Sequence, residues 1–194
     1  KFSKYNNEYH KGRALLTLAR CFCDIGLTEQ AREYLQLSKE ICSRFNEPLI
    51  MGRIKNYEAI ILYIEKNYTD SMNAFKESLK TFRMGGLKKP ISDLLREMMI
   101  AQIVNDNTND IHTLISEYTS ESKVLADSHK YNGIIDCIIY YMNVQNGTNQ
   151  ALSLHNIESK LNHNDPPEDQ YISWWILSKA AGADGDMPKE KHYY

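Results

Sequence analysis

The chain of 194 residues lacks the local patterns that mark metal and catalytic sites. Its four cysteines include no CxxC pair, and no histidine follows them at the spacing of a zinc ligand. Its six histidines never lie four residues apart, as two metal ligands on one helix face would. No local string pairs a nucleophile with an acid or a base. We therefore expect a protein that is not an enzyme and that holds neither a cofactor nor a metal ion.

The sequence also lacks long apolar runs and a strong charge of either sign. No run approaches the ~20 apolar residues that cross a bilayer, and residues 1–13 lack the apolar stretch of a secretory signal. Lys and Arg total 23 against 25 for Asp and Glu, which leaves no broad field to attract nucleic acid or an anionic membrane. The cysteines lie in apolar, helix-like stretches, which predicts buried free thiols in a reducing compartment. The sequence thus predicts a cytoplasmic protein that binds neither nucleic acid nor membrane directly.

A period of forty residues is the main positive feature of the sequence. Small or apolar residues recur at this interval, each shortly after a turn: Ala31, Ser71, Ile111 and Ala151. The turn residues recur with them: Gly26, Lys66, Asp106 and Asn146. The stretch GRALLTLA at 12–19 returns as GRIKNYEA at 52–59. Two separate stretches therefore indicate one repeating unit.

Each period contains two helical patterns, and β-branched alternation typical of strands is nearly absent. The first, apolar helix, called helix A, is predicted at 12–25, 51–65, 92–105 and 131–145, with a fifth candidate at 168–180. The second, more polar helix, called helix B, is predicted at about 28–45, 68–84, 108–126 and 148–161. Threonines at the starts of the B helices are predicted N-caps: Thr28, Thr69, Thr108 and Thr148. Because one helix pair cannot bury its own apolar face, the pairs are expected to stack on their neighbours.

The first helix pair resembles a tetratricopeptide repeat. The large and small positions of that repeat are occupied by Leu15, Leu18, Ala19, Phe22, Gly26, Ala31, Leu35 and Ser38. The second pair keeps Ala59, Leu62, Ser71, Phe75 and Ser78 but has Lys55 and Glu58 where large apolar residues are expected. Later pairs are looser. A period of forty, rather than about 34, resembles the longer repeats of scaffold and signalling-peptide-receptor members.

This resemblance implies an all-α fold, a right-handed α-solenoid of four to five antiparallel helix pairs. The array would span residues 11–182, between a lead-in from a preceding segment at 1–10 and a flexible C-terminal tail at 183–194. In such arrays helix A lines a concave groove that binds a protein or peptide segment. The implied function is therefore a non-catalytic protein- or peptide-binding module.

Seven residues on the predicted groove face of helix A are candidates for peptide or partner binding: Arg13, Arg20, Arg53, Asn56, Tyr63, Arg96 and Tyr140. Guanidinium groups hold carboxylates bidentately, and an amide can bond to an extended backbone that lacks partners of its own. The tyrosines would supply apolar contact with a polar tip. Leu16 is predicted to lie on the same face. Alternatively, the arginines are solvated or paired with acids of a neighbouring helix.

Two other functions remain open. The chain could be the signalling-peptide-sensing domain of a larger regulator, in which peptide binding changes the pitch of the array and an attached effector domain reads the change. It could also be a constitutive scaffold subunit of a multiprotein complex, held through its convex or end surface.

Overall fold

A computed structural model describes residues 2–122, 132–148 and 167–183, together with the single positions 157, 159 and 161. These ranges contain eight helices and no strand: α1 (Phe2–Asp24), α2 (Thr28–Cys42), α3 (Pro48–Ile64), α4 (Tyr68–Met84), α5 (Lys88–Val104), α6 (Ile111–Ser122), α7 (Asn132–Gln145) and α8 (Pro167–Ala183). The predicted all-α class is confirmed for this part of the chain. Most of the predicted fourth helix B, and the predicted tail beyond residue 183, lie outside the described residues. No described helix is long and apolar enough to span a membrane.

The helices pack in adjacent pairs within two compact units, residues 1–101 and 102–194. In the first unit α1 packs on α2 and α3 packs on α4, and α3 also contacts both helices of the preceding pair. In the second unit α7 packs on α8. Contacts between sequential helices are those expected of a helical array, as the period of the sequence predicted.

A buried serine joins the two helices of each pair in the first unit. Ser38 Oγ donates to the carbonyl oxygen of Gly12 at 2.8 Å, and Ser78 Oγ donates to that of Gly52 at 2.7 Å. A Cβ atom on Gly12 would lie 2.4 Å from the sulfur of Cys42, and one on Gly52 would lie 2.2 Å from the ring of Phe82. Glycine is therefore required for the two helices to approach closely enough for the serine to reach the carbonyl.

The recurrent small positions are buried as the period predicted. Ala31, Ser71 and Ile111 have almost no exposed surface, and Ala151 lies outside the described residues. Ser71 Oγ donates to the carbonyl oxygen of Ala59 at 2.8 Å, so this polar side chain is satisfied in the core. The three residues at this period are therefore all buried.

Each helix A with a described C-terminus ends in the same type of turn. One residue in each turn has a left-handed backbone: Gly26 (φ 75°), Lys66 (φ 63°), Asp106 (φ 53°) and Gly147 (φ 62°). The amide of the next residue donates to the carbonyl five residues back, at 2.9–3.0 Å in all four turns. This is the hydrogen bond of a Schellman motif, which satisfies carbonyls at the end of a helix. Asn146 lies in the fourth turn as predicted, and the left-handed residue there is the next one, Gly147.

Two local predictions are wrong. The N-cap residues of α2 and α4 are Leu27 and Asn67, and neither makes a side-chain capping bond. The threonines lie inside these helices because the left-handed turn brings the chain into helix B before it reaches them. Leu16 is buried and not on an open face, whereas Leu18 is 43% exposed. The buried side of α1 contains Leu16 and Ala19. The apolar face predicted from the sequence was therefore rotated about the helix axis relative to the face that the structure buries.

The cysteine prediction holds for three residues. Cys23, Cys42 and Cys137 are buried free thiols, whereas Cys21 is exposed. Burial raises the pKa of the Cys23 thiol to about 11 and that of Cys137 to about 12, so these thiols stay protonated.

We expect Lys66→Gly to stabilise the protein. The left-handed backbone disfavours side chains by about 1–2 kcal/mol, which exceeds the roughly 0.5–1 kcal/mol entropic cost of glycine. The free energy of unfolding in urea should therefore rise by about 0.5–1 kcal/mol. Gly26→Ala is the matched control, because a Cβ there would meet no atom within 4 Å and only the backbone conformation is penalised. It should lower the stability by about 1 kcal/mol. A loss of stability in Lys66→Gly would contradict this assignment of the turn.

Candidate functional site

A polar cluster lies where helices α1, α3 and α5 of the first unit come together. We call it the Glu97 cluster, and its members are Arg20, Asp24, Asn56, Tyr57 and Glu97. The carboxylate of Glu97 accepts a hydrogen bond from Asn56 Nδ2 at 2.9 Å, and its other oxygen lies 3.9 Å from Arg20 Nη1. One half-buried side chain of α5 thereby connects to both α1 and α3. These are the three helices of type A in this unit.

The guanidinium of Arg20 is already occupied inside this cluster. Its Nε donates to Asp24 Oδ1 at 2.7 Å, and its Cζ atom lies 5.7 Å from the centre of the Tyr57 ring. Burial tends to lower the pKa of Arg20, but the carboxylates of Glu97 and Asp24 outweigh burial and raise it. Arg20 is therefore a fixed positive charge that holds the cluster together, and it is not an open bidentate fork.

Asn56 has an unused hydrogen-bond acceptor. The residue is only 8% exposed, and its Nδ2 group is committed to Glu97. Its buried Oδ1 atom has no hydrogen-bond partner. A buried carbonyl oxygen that lacks a donor is unfavourable by about 1–3 kcal/mol. Because Glu97 fixes the amide orientation, Oδ1 is left without a donor in the folded chain.

Arg53 supplies an exposed positive charge one helical turn before Asn56. The two residues lie three apart on α3, so their side chains emerge from neighbouring positions. Within the described part of the chain, Arg53 has no ion-pair or hydrogen-bond partner. Arg13, forty residues earlier, is also exposed, and its guanidinium lies 5.6 Å from the centre of the Tyr9 ring. Arg53 and, one repeat earlier, Arg13 are thus exposed cations that no carboxylate of the described part of the chain pairs with.

The other predicted site residues are partly buried. The Tyr63 hydroxyl is buried without a hydrogen-bond partner, and burial together with Tyr68 raises its pKa to about 12. Arg96 is half-buried, interacts within the protein, and adds a positive charge near Glu97. Tyr140 is half-buried and belongs to the second unit. The structure therefore groups Arg20, Asn56 and Arg96 around one carboxylate.

Glu97, Tyr57 and Asp24 are the members of the cluster that were not among the seven predicted binding residues. A sequence signal for Glu97 existed. It is the one acidic residue in the apolar run LLREMMIAQIV at 94–104, and it directly follows a predicted site residue, Arg96. A carboxylate in such a run needs a partner when the helix is buried. Tyr57 carries no comparable signal, because an aromatic residue in an apolar helix is most often part of the core.

Two half-buried carboxylates of the first unit have opposite pKa shifts. Burial raises the pKa of Glu97, and the bond from Asn56 and the charges of Arg20 and Arg96 do not cancel this effect. Burial also acts on Glu58, but hydrogen bonds and charges from Lys39 and Lys55 outweigh it and lower the pKa of Glu58.

Among the described residues, no group of three or more His, Cys, Asp or Glu side chains could hold a metal ion.

The pH dependence of stability should separate these two carboxylates. A raised pKa in the folded state stabilises the protein below the ordinary value of 4.5, and this contribution is lost as the pH rises through the folded value. Glu97→Gln removes that loss. The unfolding free energy of this variant, measured in urea relative to wild type, should therefore increase between pH 4.5 and about pH 8.

Glu58→Gln is the matched control with the opposite sign. A lowered pKa contributes stability above the ordinary value of 4.5 that disappears as the pH falls through the folded value. This variant should be less stable than wild type near neutral pH and should approach wild type in acid. The difference in unfolding free energy between Glu97→Gln and wild type should therefore rise with pH. A difference that is independent of pH, or that decreases with pH, would contradict the half-buried placement of Glu97.

Comparison of the chain with protein-family models, with curated proteins and with solved structures finds no match. The interpretation of the Glu97 cluster therefore depends on its own geometry.

Proposed function

We propose that the first unit is a non-catalytic recognition module that binds an extended, acidic peptide segment along the groove face of α1, α3 and α5. The observation that carries this proposal is the buried Oδ1 atom of Asn56, an acceptor held in a fixed orientation and left without a donor. A backbone amide of an extended peptide is a suitable donor, because such a backbone has no internal partners for its own hydrogen-bonding groups.

Arg53 supports an acidic ligand. Its guanidinium is exposed and is one helical turn from Asn56, so a peptide whose amide reaches Asn56 would place an adjacent side chain near Arg53. An aspartate, a glutamate or a C-terminal carboxylate would form a charge-assisted, bidentate pair there. Arg13 would extend the same preference one repeat earlier. Arg20 acts indirectly, because it holds Glu97, which in turn orients the Asn56 amide.

The wider architecture is part of this proposal. The forty-residue period, the paired helices and the repeated left-handed turns support a right-handed, tetratricopeptide-like array whose A helices form a concave surface. In that arrangement Tyr63 and Arg96 would add contacts further along the bound segment. Such a surface needs no catalytic group, since its specificity comes from hydrogen bonds and charge.

A sensing role for the same site is a second candidate. The observation that favours it is the bond from Asn56 to Glu97, which links α3 to α5 through the side chain that would bind the peptide. A ligand that uses Oδ1 would strengthen this link and bias the spacing of successive A helices. Small-angle scattering would detect it as compaction on peptide addition, whereas a static recognition module would show no change.

The peptide-binding proposal is tested with a random heptapeptide library displayed on phage and selected on the wild-type protein. We expect the selected sequences to be enriched in Asp and Glu. Each selected peptide is then labelled and titrated by fluorescence anisotropy against wild type, Arg53→Ala and Asn56→Ala. Loss of one charge-assisted or buried hydrogen bond should raise Kd about tenfold or more in each variant.

Arg44→Ala is the control, because Arg44 is also an exposed arginine and lies in the connection between α2 and α3, outside the A helices. It should leave Kd unchanged. Arg53→Ala is the more informative variant, since its exposed side chain can be removed without disturbing the packing around Glu97. Selected peptides without acidic bias, or peptides that bind Arg53→Ala and Asn56→Ala as tightly as wild type, would refute the proposed site.

A further inference from the structure

Helix α1 carries an apolar ridge that is open to solvent. The ridge, called the α1 ridge below, consists of Ala14, Leu18 and Cys21 together with Ile25, which continues the last helical turn. All four residues are exposed, and Leu18 and Ile25 are 43% and 67% accessible. Their spacing of four, three and four residues is that of the narrow seam between two paired helices. Among the described residues, no other helix has two exposed large aliphatic side chains on one face.

The next repeat shows how this fold treats the same face. The positions forty residues later are Ile54, Glu58, Ile61 and Glu65. Ile54 and Ile61 are completely buried in the core that α3 shares with α2. At the edges of this contact Lys39 pairs with Glu58 at 2.8 Å and Arg32 pairs with Glu65 at 2.7 Å. In the second repeat, therefore, another helix covers this face.

The α1 ridge differs from the equivalent face of α3 in its charge, and this difference indicates which kind of helix it can pack against. Leu18 and Ile25 stand where α3 has the carboxylates of Glu58 and Glu65. A helix with basic residues at the edge, such as α2, would therefore find no counter-charge at these two positions of α1. The ridge instead fits a helix that presents aliphatic side chains, because apolar surface is removed from water on both sides of the contact.

The ridge is also complementary to itself. Its small residues, Ala14 and Cys21, alternate with its large residues, Leu18 and Ile25. When two α1 helices pack antiparallel about a two-fold axis, Leu18 of one copy lies over Cys21 of the second copy, and Ile25 lies over Ala14. Each layer then combines one large and one small side chain, which is the requirement for close packing between facing helices.

We propose that two copies of the chain associate through the α1 ridge as an antiparallel, two-fold symmetric helix pair. The ridge contains neither Arg53 nor Asn56, so the association is independent of the proposed peptide site. A contact of about three helical turns is small for a specific interface, so we expect weak, reversible association.

Sedimentation velocity of the full chain between about 1 and 200 µM tests the proposal over the range expected for a small interface. Wild type should pass from monomer to dimer. Leu18→Glu places two carboxylates against an apolar surface across the two-fold axis and should weaken association at least tenfold. Leu37→Glu is the matched control, since Leu37 is an isolated exposed leucine on α2, and it should dimerise like wild type.

Cys21 provides a second measurement that does not depend on a charged variant. It is the one exposed thiol of the four cysteines. A short bismaleimide should therefore link wild-type chains into a covalent dimer, and Cys21→Ser should abolish this product. If the wild-type chain stays monomeric and is not cross-linked, the proposal is wrong. The ridge would then be covered by a helix that is not a second copy of α1. Equal association of Leu18→Glu and Leu37→Glu would also overturn the proposal.

Discussion

The close approach of two helices at a glycine is the constraint on which the first unit depends. At Gly12 and again at Gly52, the absence of a side chain lets the facing helix come near enough for a buried serine to reach the glycine carbonyl. The glycine and the serine recur together at an interval of forty residues. Packing and hydrogen bonding therefore select the same relative placement of the two helices, which is how a local motif can specify a repeating architecture.

The candidate site follows from this placement. Because the paired helices are held in register, successive A helices present equivalent positions to one another, and Glu97 of α5 can reach Asn56 of α3 and Arg20 of α1. At the centre of the cluster Arg20 lies near the carboxylates of Asp24 and Glu97, and Arg96 adds a second positive charge near Glu97. The amide oxygen of Asn56 inside the cluster is buried without a donor, and the exposed guanidinium of Arg53 lies one helical turn before it on α3. These two groups define the chemistry of the proposed ligand.

The sequence predicted the first two helix pairs, the buried positions 31, 71 and 111 and the four turns, because each of these depends on local spacing and on residue size. It did not predict which face of α1 is buried. The burial of Leu16 and the exposure of Leu18 depend on the direction from which α2 and α3 approach, and apolar spacing alone fits either rotation. The central role of Glu97 was missed for a similar reason, because its partners come from two other helices. Capping failed at Thr28, since the preceding left-handed turn starts α2 early.

A double-mutant cycle on Gly52 and Ser78 tests the central claim most directly. The free energy of unfolding is measured in urea for Gly52→Ala, Ser78→Ala and the double variant. If one close contact contains both groups, Gly52→Ala already forces the helices apart and breaks the serine bond, so the double variant should lose less stability than the sum of the single variants by about 0.5 kcal/mol or more. Additive losses would show that the glycine and the serine act separately, and would contradict the account.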